Sequence, residues 1–278
     1  MKTLLLLLIA AGFLFLSFSE KKVTWVAIGD SITYLNDHTN ETGNRVTKGY
    51  LTRVVERLPQ LAYVNQGHNG WTVVRIAQQI EKLGLVKADI YSVFLGTNDW
   101  WHSEPLGTFT NYKNATGNQT VYGAYRTIIN KIHSLNPDAK IILITPLQRS
   151  DFVYINNSKN NAYGSYKAKD GQQLTDFAKA VDSIAHYEKC ELVDLYHKSK
   201  ITQKNLINFK RLKDPATGQY KNYKYPDFTQ IPFNPETDEY PYPPEAIGMA
   251  YDGLHPSDKG NQRIADMIVK AMKKIMSK

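Results

Sequence analysis

Val23-Thr24-Trp25-Val26-Ala27-Ile28-Gly29-Asp30-Ser31 is the stretch that decides the fold. Residues 23–28 form a short apolar run that stops at a turn signal, the pattern of a buried strand. The run ends at Gly29, and a tight Gly-Asp-Ser turn follows at once. Such a turn exposes the serine side chain and gathers backbone N–H groups around it. Alone it would better suit a serine capping a helix or closing a turn, and only the other blocks reverse that.

The rhythm recurs along the chain. Strand-like runs are expected at 62–65, 89–95, 140–144 and 191–195. Helix-like runs lie between and after them, at 49–58, 73–83, 122–135, 174–187 and 257–276. In the last of these, Ile264, Met267, Ile268, Ala271 and Ile275 recur at helical spacing. Strands alternating with helices imply βαβ units and a parallel sheet. The expectation is an α/β protein, a three-layer α/β/α sandwich on a five-stranded parallel sheet. Ligands of such sheets bind outside the carboxyl ends of the strands. Two stretches break the rhythm. Residues 100–120 read as a loop, and 200–250, rich in Tyr, Asn and Pro, as a long insertion packed over the active-site face.

Three further blocks fall where this scheme needs them. Gly67-His68-Asn69-Gly70 follows the second strand, and Gly70, ahead of Gly67, is the candidate backbone donor there. Gly96-Thr97-Asn98-Asp99 follows the third. The Asn98 side-chain NH₂ can meet a developing oxyanion, while Asp99 reads as a brace for the loop. Asp252-Gly253-Leu254-His255-Pro256 precedes the last helix, and a three-residue step within a turn can bring the Asp252 carboxylate under the His255 imidazole. A serine hydroxyl is a weak nucleophile until a base takes its proton, and a histidine base needs an acceptor to orient it. Ser31, His255 and Asp252 are therefore the candidate catalytic set. Asp30, Trp71, Trp100 and Trp101 are the candidate substrate contacts. Aromatic faces would stack on sugar rings or wall an acyl chain. Arg75 and Arg149 could meet an acidic substrate group, but solvated or salt-bridged roles are the expectation for both.

The bulk numbers bound the class. The chain has 278 residues, 42% of them hydrophobic and 22% charged, which suits one sizeable domain with an insertion. Lys2, followed by an apolar run at 4–18 and the small-residue set Ser17-Phe18-Ser19, reads as a signal peptide over 1–19. That run of about 15 residues falls short of the ~20 that span a bilayer, so export to the periplasm or the exterior is expected, with no stable membrane insertion afterwards. The formal charge of +8 comes from dispersed lysines, which argues for a solvated surface rather than a nucleic-acid footprint. Attraction to anionic substrates stays open. Cys190 is the single cysteine, so no internal disulfide can form. No metal-ligand spacing and no phosphate-cradling loop occurs, and neither metal nor cofactor is expected.

Gly29-Asp30-Ser31, Gly70, Asn98 and Asp252-x-x-His255, in this order, resemble the SGNH (GDSL-type) hydrolase superfamily over essentially the whole mature length. Ile32 stands where leucine is common. The resemblance implies a flavodoxin-like sandwich in which Ser31 attacks an ester carbonyl, His255 is the base and Asp252 orients it. The Ser31 N–H, the Gly70 N–H and the Asn98 side chain would hold the oxyanion. The set is specific for the superfamily and silent on substrate. An exported esterase removing a short acyl group, such as acetyl, from a carbohydrate leads. A lipase-like or lysophospholipase-like acylhydrolase is the alternative, and a non-catalytic glycan-binding protein the third reading. The partner is a small-molecule or glycan ester, and oligomeric state is not legible. Trp71, Trp100-Trp101-His102 and the 200–250 insertion depart from the minimal core and are expected to shape the pockets.

Overall fold

The computed structural model describes residues 22–164 and 167–277, so the expected leader at 1–19 lies outside the described residues. Along the chain come β1 (Val23–Gly29), α1 (Ser31–Tyr34), α2 (Tyr50–Arg57), β2 (Leu61–Gly67), α3 (Val73–Gln79) and β3 (Ile90–Phe94). Then follow α4 (Thr97–Trp101), α5 (Phe109–Lys113), α6 (Val121–Leu135), β4 (Lys140–Ile144), β5 (Phe152–Tyr154) and β6 (Asn157–Ala162). The last are α7 (Leu174–Glu188), β7 (Glu191–Val193), α8 (Leu195–Lys198), β8 (Lys210–Lys213), β9 (Tyr220–Tyr223) and α9 (Asp258–Met276).

β1, β2, β3, β4 and β7 form one parallel sheet in the order β2-β1-β3-β4-β7. Both faces are covered, and the period-2 alternation of strand side chains decides which layer each residue joins. Val26 and Ile28 of β1, with Ile141 and Leu143 of β4, pack against α3, α6 and α7. Trp25 and Ala27, with Ile142 and Ile144, face the opposite way against α2 and α9. The expected three-layer α/β/α sandwich is therefore the observed fold.

Local chemistry fixes the helix starts. Thr72 caps α3 by accepting from Arg75 N at 3.0 Å. Thr120 caps α6 through Gly123 N at 3.2 Å, and Asn136-Pro137 ends that helix. Ser257 caps α9 with Asp258 in its first turn, where a carboxylate complements the helix dipole. In α9, Ile264, Ile268, Met272 and Ile275 recur every three to four residues and are buried on one side.

Beyond shifted element ends, such as α3 stopping at Gln79, three longer segments differ from the sequence reading. Residues 100–120 contain α5 and the end of α4 rather than loop alone. The 200–250 insertion is not structureless: β8 and β9 pair as an antiparallel hairpin, and Leu212, Phe228 and Tyr242 build a third, smaller apolar cluster. That cluster also holds Val153 of a further hairpin, β5–β6, which was not expected. No described helix is long and apolar enough to cross a membrane.

Candidate active site

The sheet brings the blocks together by register. Gly29 at the end of β1 is level with Gly67 of β2 on one side and Phe94 of β3 on the other. The residues just past those ends therefore share one rim. Because β2 and β3 lie on opposite sides of β1, this rim is also where the strand order reverses, the usual ligand crevice of open α/β sheets.

Ser31 opens α1, and Asp30 is its cap, with Oδ1 accepting from Ile32 N at 2.9 Å. Ser31 Oγ lies 2.8 Å from His255 Nε2, and His255 Nδ1 lies 2.7 Å from Asp252 Oδ2. With Nδ1 protonated and donating to Asp252, Nε2 is free to accept the serine proton. The other Asp252 oxygen accepts from Leu254 N at 3.1 Å and His255 N at 2.8 Å, so the carboxylate is held by the same loop that carries His255. Gly253 makes this turn at φ +87°, and a Cβ there would meet Asp151 O at 1.8 Å. Only glycine lets the 149–153 segment lie against the histidine loop, where Ser150 N donates to Gly253 O at 2.9 Å.

A pocket of about 390 Å³ opens beside Ser31, and Gly70, Asn98 and His255 line it too. Gly70 has φ +70°, and Asn98 Nδ2 donates to Trp71 O at 3.1 Å, which leaves its second N–H uncommitted to that carbonyl. Asp99 braces the loop as expected, accepting from Val73 N with both oxygens at 2.8 and 3.0 Å. Burial pushes its carboxyl up to about 7 and that of Asp30 to about 6.

The candidate substrate contacts divide. Trp101 lines the pocket, whereas Asp30, Trp71 and Trp100 are not among its lining residues. Asp30 is buried as a helix cap. Trp100 is 1% exposed, packs in the core and donates its indole N–H to Gln172 O at 3.0 Å. Trp71 stacks on His68 at 4.3 Å and under the Arg75 guanidinium at 4.5 Å. The 200–250 insertion is likewise corrected, since none of its residues lines the pocket. Phe152, Tyr154, Asn160 and Asn161 of the β5–β6 hairpin do, and the insertion packs behind that hairpin. Phe152 meets the His255 ring edge-on at 5.2 Å, and Tyr251 stacks on it at 5.9 Å. The signal for the hairpin was the β-prone triplet Phe152-Val153-Tyr154 followed by Asn156, a turn-forming residue within the two-residue turn Ile155-Asn156. Arg149 also lines the pocket, and burial pushes its guanidinium down to about 10.

Fold and rim together define an α/β/α hydrolase, and the comparisons agree. Residues 27–263 match the GDSL-like lipase/acylhydrolase family, and the chain belongs to it. It is a carboxylic ester hydrolase. A crystal structure from Chitinophaga pinensis, described as a possible lipase, is 61% identical, with TM-score 0.90 over 92% of this chain and 99% of that one. An acetyl xylan esterase, AlAXEase, shares the fold at 20% identity, with TM-score 0.52 over 90% of this chain and 99% of that one. A protein from Lactobacillus plantarum does so at 17% identity, with TM-score 0.59 over 92% and 97%. No curated protein matches the chain.

Proposed function

We propose that the protein is an exported serine esterase that removes a short acyl group, most simply acetyl, from a carbohydrate. The reading is carried by the unbroken chain from Ser31 Oγ to His255 Nε2 at 2.8 Å and from His255 Nδ1 to Asp252 Oδ2 at 2.7 Å, with Ser31 and His255 lining the pocket. In this reading Ser31 Oγ attacks the ester carbonyl while His255 Nε2 takes its proton. The carbonyl oxygen becomes an oxyanion held by the Ser31 and Gly70 N–H groups and the Asn98 side chain. Collapse breaks the ester C–O bond, and His255 returns the proton to the departing alcohol. Water then attacks the acyl-serine with His255 again as base, which frees the acid.

Size and lining support a short acyl group on a hydroxyl-rich alcohol. The pocket is small, about 390 Å³, and Asn69, Asn98, Asn160 and Asn161 offer amide donors and acceptors beside a single tryptophan, Trp101. Export rests on the leader-like run after Lys2. A lipid acylhydrolase is the second reading, favoured by the description of the Chitinophaga relative. Hydrolysis of 4-nitrophenyl esters from acetate to palmitate, wild type beside Ser31→Ala, separates them. Serine-dependent turnover confined to acetate and butyrate is expected. A preference for long chains moves the assignment to lipids. Binding of a glycan with no ester cleaved would leave a non-catalytic protein.

A further inference from the structure

Arg149 is 2% exposed and yet forms no ion pair among the described residues. Burying a guanidinium without a counter-charge is costly. The carboxylates whose fields reach it are already engaged. Asp151 holds the buried Lys210 ammonium, Asp252 holds His255, and Asp30 caps α1. Arg149 Nε reaches only its neighbour's carbonyl, Ser150 O, at 3.5 Å, and Nη2 is buried with no hydrogen-bond partner. Its guanidinium carbon sits 5.7 and 5.6 Å from the Trp100 and Trp101 ring centres, contacts that hold a cation in place but leave its in-plane N–H groups unspent. The 149–153 segment is tied to the histidine loop by Ser150 N to Gly253 O and Val153 N to Asp252 O at 3.3 Å, so the arginine is fixed relative to Ser31. Lys169 Nζ, 4.2 Å from the Trp101 ring centre, adds a second positive charge at the same indole.

We propose that Arg149 is a specificity-determining residue, and that the ester this pocket takes carries an oxyanion group, a carboxylate or a phosphate, received by the guanidinium beside Trp101. The proposal rests on the esterase reading and names its substrate class. A planar fork of N–H donors pairs with either oxyanion through two parallel hydrogen bonds. The substrate then supplies the counter-charge that the fold withholds, and a neutral ester leaves the guanidinium unpaired. Discrimination of this kind comes from an unmet buried group as much as from a new contact.

Matched esters test it: acetylated glucuronic acid, its neutral twin acetylated glucose, and acetylated glucose 6-phosphate. Wild type should favour at least one anionic ester over the neutral one by roughly 10- to 100-fold in kcat/KM, the span of a charged hydrogen-bonded contact. Arg149→Met should collapse that ratio, mainly through KM, and Arg149→Lys should keep part of it. The arm that responds identifies carboxylate or phosphate as the source. A wild-type ratio near one in both arms, or an unchanged ratio in Arg149→Met, overturns the proposal. If Arg149→Met does not fold, inhibition of the wild type decides: glucuronate or inorganic phosphate should compete with substrate where glucose does not, and equal inhibition by all three overturns it. Labelling of Ser31 by a fluorophosphonate separates the two readings. With no labelling and no ester cleaved, the esterase reading fails, and calorimetric titration of Ser31→Ala with glucuronate and phosphate still tests Arg149. Binding of either anion over glucose supports the site, and no preference sinks it.

Discussion

A serine hydroxyl becomes a nucleophile only where a neutral base and prearranged donors meet it, and in the proposed mechanism His255 is that base for Ser31. His255 Nδ1 lies against one Asp252 oxygen, and the second oxygen accepts from the loop's own N–H groups. Ser31→Ala and His255→Ala should each abolish ester hydrolysis while the thermal midpoint stays within a few degrees, and near-native turnover in either would remove the proposed triad. Asn98→Ala should cost about 10²- to 10³-fold in kcat if its amide binds the oxyanion. Activity should fall toward acid pH, because a protonated imidazole cannot accept the serine proton; a flat acid limb down to about pH 4 contradicts a histidine base. Asp99 gives a separate, stability-based signature. Burial raises its carboxyl to about 7, so the folded chain holds a proton that the unfolded chain releases at the ordinary carboxyl value of 3.8. The stability this proton carries is full below that ordinary value and is lost as pH rises through about 7. Asp99→Asn stays neutral throughout, so its melting temperature relative to wild type should climb from about pH 4 to about pH 7 and level off above. A difference that is flat with pH would mean the folded carboxyl titrates in its ordinary range.

Among the elements, those with a strong period were legible and those held by distant partners were not. β4 falls at 140–144 as expected, because Ile141, Ile142, Leu143 and Ile144 are apolar on both faces. β7 stops two residues early, at Val193, because the Asp194 side chain accepts from His197 N at 3.2 Å and starts α8. The β5–β6 hairpin was hidden because its strand Asn157–Ala162 is polar, Asn-Ser-Lys-Asn-Asn-Ala, with no apolar alternation. Its placement depends on Asp151, at the hairpin's base, whose carboxylate pairs with the fully buried Lys210 of β8 and whose carbonyl accepts from the Tyr242 hydroxyl. Removing one partner of a buried pair typically costs about 3–5 kcal/mol. Lys210→Ala should therefore lower stability by that order in urea unfolding and also raise KM, since the hairpin lines the pocket. Loss of stability with KM unchanged would show that the hairpin does not touch substrate.

At the scale of the whole molecule, the described residues form two large apolar clusters on either side of the sheet and a third, smaller one between the insertion and the hairpin. Separate clusters can open separately. Ile268→Ala, in the layer of α2 and α9, should cost about 2–5 kcal/mol and shift loss of activity and loss of helical ellipticity in urea together. Phe228→Ala, in the third cluster, should move the activity midpoint to lower urea than the ellipticity midpoint; coincident midpoints would mean the insertion and the sheet unfold as one unit. The sequence by itself determined the layers of this protein and the four blocks proposed as its catalytic site. The apolar period of each strand and helix is a local property, and Gly-Asp-Ser, Gly70, Asn98 and Asp-x-x-His each sit in a local turn. Only the tertiary structure decided what walls the pocket. It turned Trp100 into the core, spent Asp30 on a cap, and replaced the long insertion with the 152–162 hairpin. It also brought a buried arginine, with no ion-pair partner among the described residues, to the same pocket as the serine. Those outcomes depend on which distant groups satisfy one another, as Lys210 does with Asp151, and pairing across dozens of residues leaves no period in the chain to read.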